Sequence, residues 1–196
     1  EGCNMQYTSG TTGFPKGVML THYNVVNNGK YIGDHMDLST ADRVMIQVPM
    51  FHCFGMVLSM TAGMTHGATL YPLPYFSPKP ALSCIHHERI TSFNGVPTMF
   101  IAMMQHPDFE KTDRSSIRTG IMAGSNCPED LMRQAAAPEG FGMREIVSVY
   151  GETESAPGDT MSSYYDPLDK RVTTVGKRFA NVECKIIDPE TGEDCP

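Results

Sequence analysis

The residues best suited to chemistry lie close together early in the chain, in Tyr7-Thr8-Ser9-Gly10-Thr11-Thr12-Gly13-Phe14-Pro15-Lys16-Gly17. These eleven positions hold four small hydroxylated residues, three glycines and one lysine. Almost nothing in the stretch is large and apolar, so it can supply no hydrophobic core. Its glycines allow positive φ and a close approach of backbone to a ligand. Hydroxyls and free N–H groups donate hydrogen bonds, and Lys16 adds a mobile positive charge. A concave run of N–H donors beside a cation is a phosphate cradle.

The Walker A loop does not fit the spacing, because it needs G-x-x-x-x-G-K-[ST] running into a helix. Here Phe14-Pro15 separates Gly13 from Lys16, and Gly17 follows the lysine. The flanks Asn4-Met5-Gln6-Tyr7 and Val18-Met19-Leu20-Thr21 read as strands, which places the loop at the tip of a β-hairpin. A flexible Gly/Ser/Thr linker is the plain alternative, but a linker has no use for Pro15-Lys16-Gly17 between two apolar segments.

A second chemically loaded stretch is Tyr150-Gly151-Glu152-Thr153-Glu154 at the end of an apolar run. An aromatic face can stack on a base, a hydroxyl can bond a phosphate, and a carboxylate can hold Mg²⁺, a hard cation that prefers oxygen. By itself this pentapeptide is equally readable as a strand-to-turn transition with solvated acids. Two further strand exits are unusual: Pro49-Met50-Phe51-His52 and Ala123-Gly124-Ser125-Asn126.

Together these segments resemble the adenylate-forming (AMP-binding) superfamily, which includes acyl-CoA synthetases. Tyr7 to Gly17, followed by Val18-Met19-Leu20-Thr21-His22, is similar to its phosphate-loop signature, and Tyr150 to Glu154 to its Y-G-x-T-E motif. Pro49-Met50-Phe51-His52 resembles its P-x-F-H motif. Ala123 to Asn126 stands where the family carries a G-G-A-P-like segment but departs from the common form. Thr174-Val175-Gly176-Lys177-Arg178 resembles a structural S-V-G-x-P stretch, with Arg178 in place of proline.

The resemblance implies a ligase that uses ATP, Mg²⁺ and coenzyme A to convert a carboxylic acid into a thioester through an acyl-adenylate. It assigns Thr8, Ser9, Gly10, Thr11, Thr12, Gly13 and Lys16 to the phosphates, Thr153 to the α-phosphate and Glu154 to Mg²⁺. Gly124, Ser125, Asn126, Tyr150 and Gly151 would hold the nucleotide, and His52 would border the reacting carboxylate. Lys16, His52, Thr153 and Glu154 are the candidate catalytic residues. An acyl pocket among His52, Phe54, Met56, Val96, Pro97 and Gly124 is mostly apolar, which favours a medium- or long-chain fatty acid. A carrier-protein-loading adenylation domain and a non-catalytic nucleotide-binding module remain open. The resemblance also places the ribose-binding aspartate, the hinge and the C-terminal lysine downstream of Pro196, so the chain reads as an inactive piece of a longer enzyme.

The elements that must position these residues alternate. The expected strands are Arg43–Val48, Thr69–Tyr71, Thr91–Asn94, Arg118–Met122 and Glu145–Val149. The expected helices are Thr21–Met36, Phe54–Met64, Pro78–His87, Thr98–Gln105 and Pro128–Ala137, with Pro128 at a first helical position. This order predicts an α/β fold with a largely parallel sheet flanked by helices and ligands at the carboxyl ends of its strands. From Ala156 the alternation stops. Residues 1–158 are therefore expected to form the nucleotide- and acyl-binding region. Residues 159–196 are expected to begin a β-rich subdomain, with β runs at Thr173–Val175 and Val182–Ile187.

Composition bounds the rest. The 196 residues are 40% hydrophobic and 19% charged, a globular composition. A net charge of −7 without a basic stripe argues against nucleic acid as a partner. Six cysteines without a C-x-x-C pair suggest reduced thiols and a cytoplasmic setting. Prolines and glycines divide the longest uncharged run, Val44–Pro78, so no transmembrane segment is expected. Open sheet edges would make pairing between copies possible.

Overall fold

The computed structural model describes residues 1–8 and 13–195. The chain opens with an antiparallel hairpin of β1 (Gly2–Thr8) and β2 (Lys16–Thr21), in which Thr8 stands opposite Lys16 and Gln6 opposite Val18. Cross-strand partners project to the same face of a ladder. The inner face therefore carries Asn4, Gln6 and Thr8 with Lys16, Val18 and Leu20. Thr21 then caps α1 (His22–His35): its Oγ1 accepts the Asn24 N–H at 3.1 Å, and its own N–H donates to Asn24 Oδ1 at 3.1 Å. This reciprocal cap joins hairpin and helix with no intervening loop.

The main sheet has seven strands in the order β4-β3-β5-β6-β7-β8-β9. Five run parallel: β3 (Arg43–Ile46), β4 (Thr69–Pro72), β5 (Ser92–Phe93), β6 (Thr119–Met122) and β7 (Glu145–Gly151). The crossovers carry α2 (Cys53–Gly55), α3 (Ala62–Thr65), α4 (Pro78–Glu88), α5 (Pro97–Met104) and α6 (Glu129–Ala136). Alternate residues of each strand feed two cores, as a sheet covered on both faces requires. Met45, Phe93, Met122 and Ile146 face a cluster built around Phe100 and Phe141. Val44, Ile46, Ile121 and Val147 face Ile32, Val57 and Ala62. At the amino ends of the strands, Arg118 bridges Asp42 at 2.7 Å and Glu145 at 2.5 Å. That network locks the end of the sheet away from the site described below.

The expected α/β class with a largely parallel sheet is what is found. The predicted helix Phe54–Met64 is one helical run from Cys53 to Thr65, but Met56–Thr61 is π-helical. Side chains match the wider turn: Ser59 Oγ donates to Phe54 O at 3.0 Å and Thr61 Oγ1 to Met56 O at 2.8 Å, each five residues back. Pro128 is the N-cap of α6 instead of its first residue, since its ψ of 130° is extended.

Residue 158 marks a change of pairing within one sheet. β8 (Gly158–Met161) runs antiparallel to β7, and β9 (Lys177–Arg178) antiparallel to β8. Thr173 ends α7 (Leu168–Thr173) instead of opening a strand. Buried Arg171 holds this helix to the sheet by donating to Ile146 O and, at 2.8 Å, to Arg144 O. The predicted run Val182–Ile187 is not a regular strand, because its backbone has no neighbouring strand among the described residues. Only Ile187 bridges, to Asp194 across a tight turn. No helix among the described residues is long and apolar enough to cross a membrane.

Candidate active site

Three strand exits and the hairpin meet at the carboxyl end of the sheet, around a cavity of about 1010 Å³. Thr8 lines it from the hairpin, His52 from the exit of β3, Gly124 to Asn126 from the exit of β6, and Tyr150 to Glu154 from the exit of β7. Segments more than a hundred residues apart in sequence thus share one wall. Thr173 also lines it, as do Thr174 and Val175 of the stretch expected to be structural.

The geometry of each group follows from local structure. His52 caps α2: its Nδ1 accepts the Phe54 N–H at 3.0 Å, so in the neutral ring the proton sits on Nε2. Gly124 has φ +86° and a Cβ there would meet Val96 at 3.0 Å, so glycine suits both the backbone and the packing. Gly151 lies against the far side of the acidic turn, where a Cβ would stand 1.7 Å from Pro157 O. Thr153 to Ser155 form a single 3-10 turn capped by Glu152. Ser155 Oγ accepts the Glu152 N–H at 3.3 Å and donates to Asp159 Oδ2 at 2.9 Å. Tyr150 is 59% exposed, which leaves its ring face available to a flat ligand.

Beneath the turn lies Cys53, fully buried, whose thiol donates to Gln6 Oε1 of the hairpin. Burial pushes this thiol up to about 11, against the Thr153 hydroxyl beside its sulfur, and the charge of Glu154 adds to the rise. Leu20, Cys53 and Ala156 form a small buried cluster that fastens the hairpin to the turn. Gln6 did not stand out in the sequence as part of the site.

Lys16 is exposed and is not among the lining residues, but its place opposite Thr8 sets it on the hairpin face that meets the cavity. Gly13 is exposed at the loop's end. Ser9, Gly10, Thr11 and Thr12 lie outside the described residues.

A smaller apolar pocket of about 80 Å³ opens beside His52 and is lined by Phe54, Leu58, Gly124, Val149 and Pro157. Of the six expected acyl-pocket residues, His52, Phe54 and Gly124 line it and Val96 packs on Gly124. Met56 instead lies under the hairpin, where Asn4 Nδ2 donates to its sulfur at 3.2 Å. Pro97 is buried at the start of α5. Leu58 and Val149 were missed, since nothing in their types separates them from ordinary core.

Among the described residues, no group of three or more His, Cys, Asp and Glu side chains could enclose a metal. Glu154 stands exposed at the cavity wall.

Thr8 of the hairpin and an acidic strand exit share one cavity at the carboxyl end of an α/β sheet, and the chain belongs to the family of AMP-binding enzymes. The family's model matches residues 1–196. YngI of Bacillus subtilis is 49% identical over 191 residues, covering 97% of this chain and 34% of YngI. The mitochondrial medium-chain acyl-CoA ligase ACSF2 of Mus musculus is 41% identical over 195 residues, covering 97% and 31%. The anthranilate CoA ligase AuaEII, solved with anthranoyl-AMP, superposes with a TM-score of 0.86 at 27% identity, covering 99% of this chain and 37% of AuaEII. The chain spans about a third of the length of the curated relatives it matches.

Proposed function

We propose that the whole protein activates a carboxylic acid with ATP to an acyl-adenylate and transfers the acyl group to coenzyme A. The observation that carries this reading is the single cavity shared by Thr8, His52, Gly124 and the Tyr150–Glu154 turn. A family of AMP-binding enzymes, with acyl-CoA ligases among the similar proteins, agrees with it.

In the proposed arrangement the hairpin loop, Thr8 to Gly13 with Lys16, holds the β- and γ-phosphates. Thr153 donates to the α-phosphate, and Tyr150 stacks on adenine with Gly151 and the Gly124–Asn126 loop along its edge. Glu154 would hold Mg²⁺, which spreads the negative charge that builds on the phosphate oxygens. The acid's carboxylate lies by His52, with the Nε2 proton as donor. Its attack on the α-phosphorus displaces pyrophosphate, and the thiol of coenzyme A then displaces AMP from the acyl carbon. This chemistry is mainly charge stabilisation by fixed donors and needs little general acid–base work.

The small pocket is apolar apart from His52, and its lining among the described residues holds no lysine or arginine to pair a second carboxylate. It would take the carboxyl-proximal end of a medium- or long-chain fatty acid. In this reading residues 1–158 supply most of the nucleotide and acyl contacts, and residues 159–196 contribute Thr173 to Val175.

The test is to incubate the full-length protein with Mg²⁺, ATP, coenzyme A and a series of fatty acids. AMP, pyrophosphate and acyl-CoA should form in equal amounts. AMP formation without consumption of coenzyme A, but with loading of a holo carrier protein, would replace this reading with an adenylation domain. No turnover of any acid would point to a non-catalytic module.

A further inference from the structure

The side chain of Asn28 has no place in the nucleotide or acyl contacts, yet it is 7% exposed and makes two hydrogen bonds to a residue 130 positions away. Its Nδ2 donates to Gly158 O at 2.7 Å, and its Oδ1 accepts the Gly158 N–H at 3.0 Å. Both backbone polar groups of one residue of β8 are thereby satisfied by one carboxamide on α1. The sheet explains why this is needed. β8 pairs with β7 through Gly158 and Gly151, while β9 reaches only Thr160 and Met161. Asn28 serves as the missing outer neighbour of Gly158. The site accepts only a glycine partner, since a Cβ on Gly158 would meet Phe179 at 2.7 Å and Asn28 Oδ1 at 3.1 Å.

What Asn28 grips is the return end of the acidic turn. The turn leaves β7 at Gly151, carries Thr153 and Glu154, and comes back through Pro157 to Gly158. Asn28 itself lies two helical turns beyond Thr21, whose reciprocal cap joins α1 to β2 of the hairpin. A continuous path thus runs from Lys16 through β2, the cap and α1 to the far end of the turn that bears Glu154.

We infer that Asn28 is a positioning residue: its buried carboxamide sets the spacing between Thr8 and Lys16 of the hairpin and the Thr153–Glu154 turn, and so the affinity for the triphosphate that spans them. The inference rests on the proposed function for its ligand.

The experiment uses the full-length protein with Asn28→Ala and Asn28→Asp. Asn28→Asp keeps the size of the side chain, loses the donor and sets an oxygen against Gly158 O, so it tests the clamp without leaving a cavity. The readouts are steady-state constants of ATP–pyrophosphate exchange and hydrogen exchange of the Gly158 amide, with the amides of Val44 to Ile46 as a control for global opening. Each variant should raise KM for ATP about tenfold, the scale of leaving one buried polar group unpartnered, with KM for the acid unchanged. In Asn28→Ala the Gly158 amide should lose protection while the β3 amides keep theirs. Unchanged KM for ATP in both variants overturns the positioning role, and so does an unprotected Gly158 amide in the wild type. A wild type that neither binds nor turns over ATP overturns the functional reading instead, and the inference with it.

Discussion

Glu154 is the residue on which the proposed charge balance turns. It stands exposed at the cavity wall, one residue after the proposed α-phosphate donor Thr153. Glu154→Gln keeps the shape and removes the charge, so acid-dependent pyrophosphate exchange in the full-length protein should fall about 100-fold, the scale of losing one electrostatic contact to a transition state. The thermal midpoint should stay within a few degrees, because exposed substitutions rarely change stability much. Exchange at the wild-type rate would remove Glu154 from the metal site.

Cys53 gives a residue-scale expectation of a different kind. Its thiol is held neutral by burial, at about 11 against an ordinary 9.0, with Cys84 and Cys127 raised to about 11 for the same first reason. The folded state keeps these protons while the unfolded chain releases them above pH 9. Stability is therefore constant with respect to these groups below about pH 9 and is lost as pH rises from 9 towards 11. Urea unfolding across this range should show that decline, and Cys53→Ser should make it shallower. An identical pH dependence in the variant would contradict the raised value.

At the scale of elements, the acidic turn works because β7 and β8 can approach closely at Gly151 and Gly158. An Ala at position 151 would put its Cβ 1.7 Å from Pro157 O, a backbone atom with little freedom to move. Gly151→Ala should cost about 1–3 kcal/mol in denaturant unfolding, and a neutral result would show that the turn can open without penalty. Which glycines carry such demands was not legible in the sequence. Gly151 was visible only as a member of a motif, and its contact depends on a proline that returns six residues later through a turn.

The alternating strands and helices were legible because their apolar runs are long and well separated. The short helix Leu168–Thr173 was not, because Thr173-Thr174-Val175 is β-branched and outweighed the helix signal of Pro167 and Asp169 just before it. The π-helical turn was hidden for a related reason: Ser59 and Thr61 are common residues, and only their bonds five residues back reveal the wider turn. Side chains that act across long separations, Gln6 on Cys53 and Asn28 on Gly158, carry no local signal at all.

At the scale of the molecule, the sheet places its ion network at the amino ends of its strands and the shared cavity at the carboxyl ends. Tyr150 to Glu154 and the hairpin loop could be recognised by residue type alone, whereas the meeting of Thr8 and the Tyr150–Glu154 turn on one cavity is a property of the topology. The 196 residues span about a third of their curated relatives, and the segment assayed alone with Mg²⁺, ATP, coenzyme A and fatty acid should form no thioester. Acyl-CoA produced by the segment would show that the proposed reaction needs no residue outside it.

The most direct measurement is a crystal structure of the full-length protein with Mg²⁺ and a non-hydrolysable ATP analogue. The triphosphate should lie between the hairpin loop and Thr153, with the metal on Glu154, Lys16 turned onto the phosphates and adenine against Tyr150. A nucleotide bound instead in the separate cavity of about 590 Å³ beside Phe51 and Tyr75, or one that left Lys16 and Glu154 on different ligands, would contradict the convergence on which the proposed function depends.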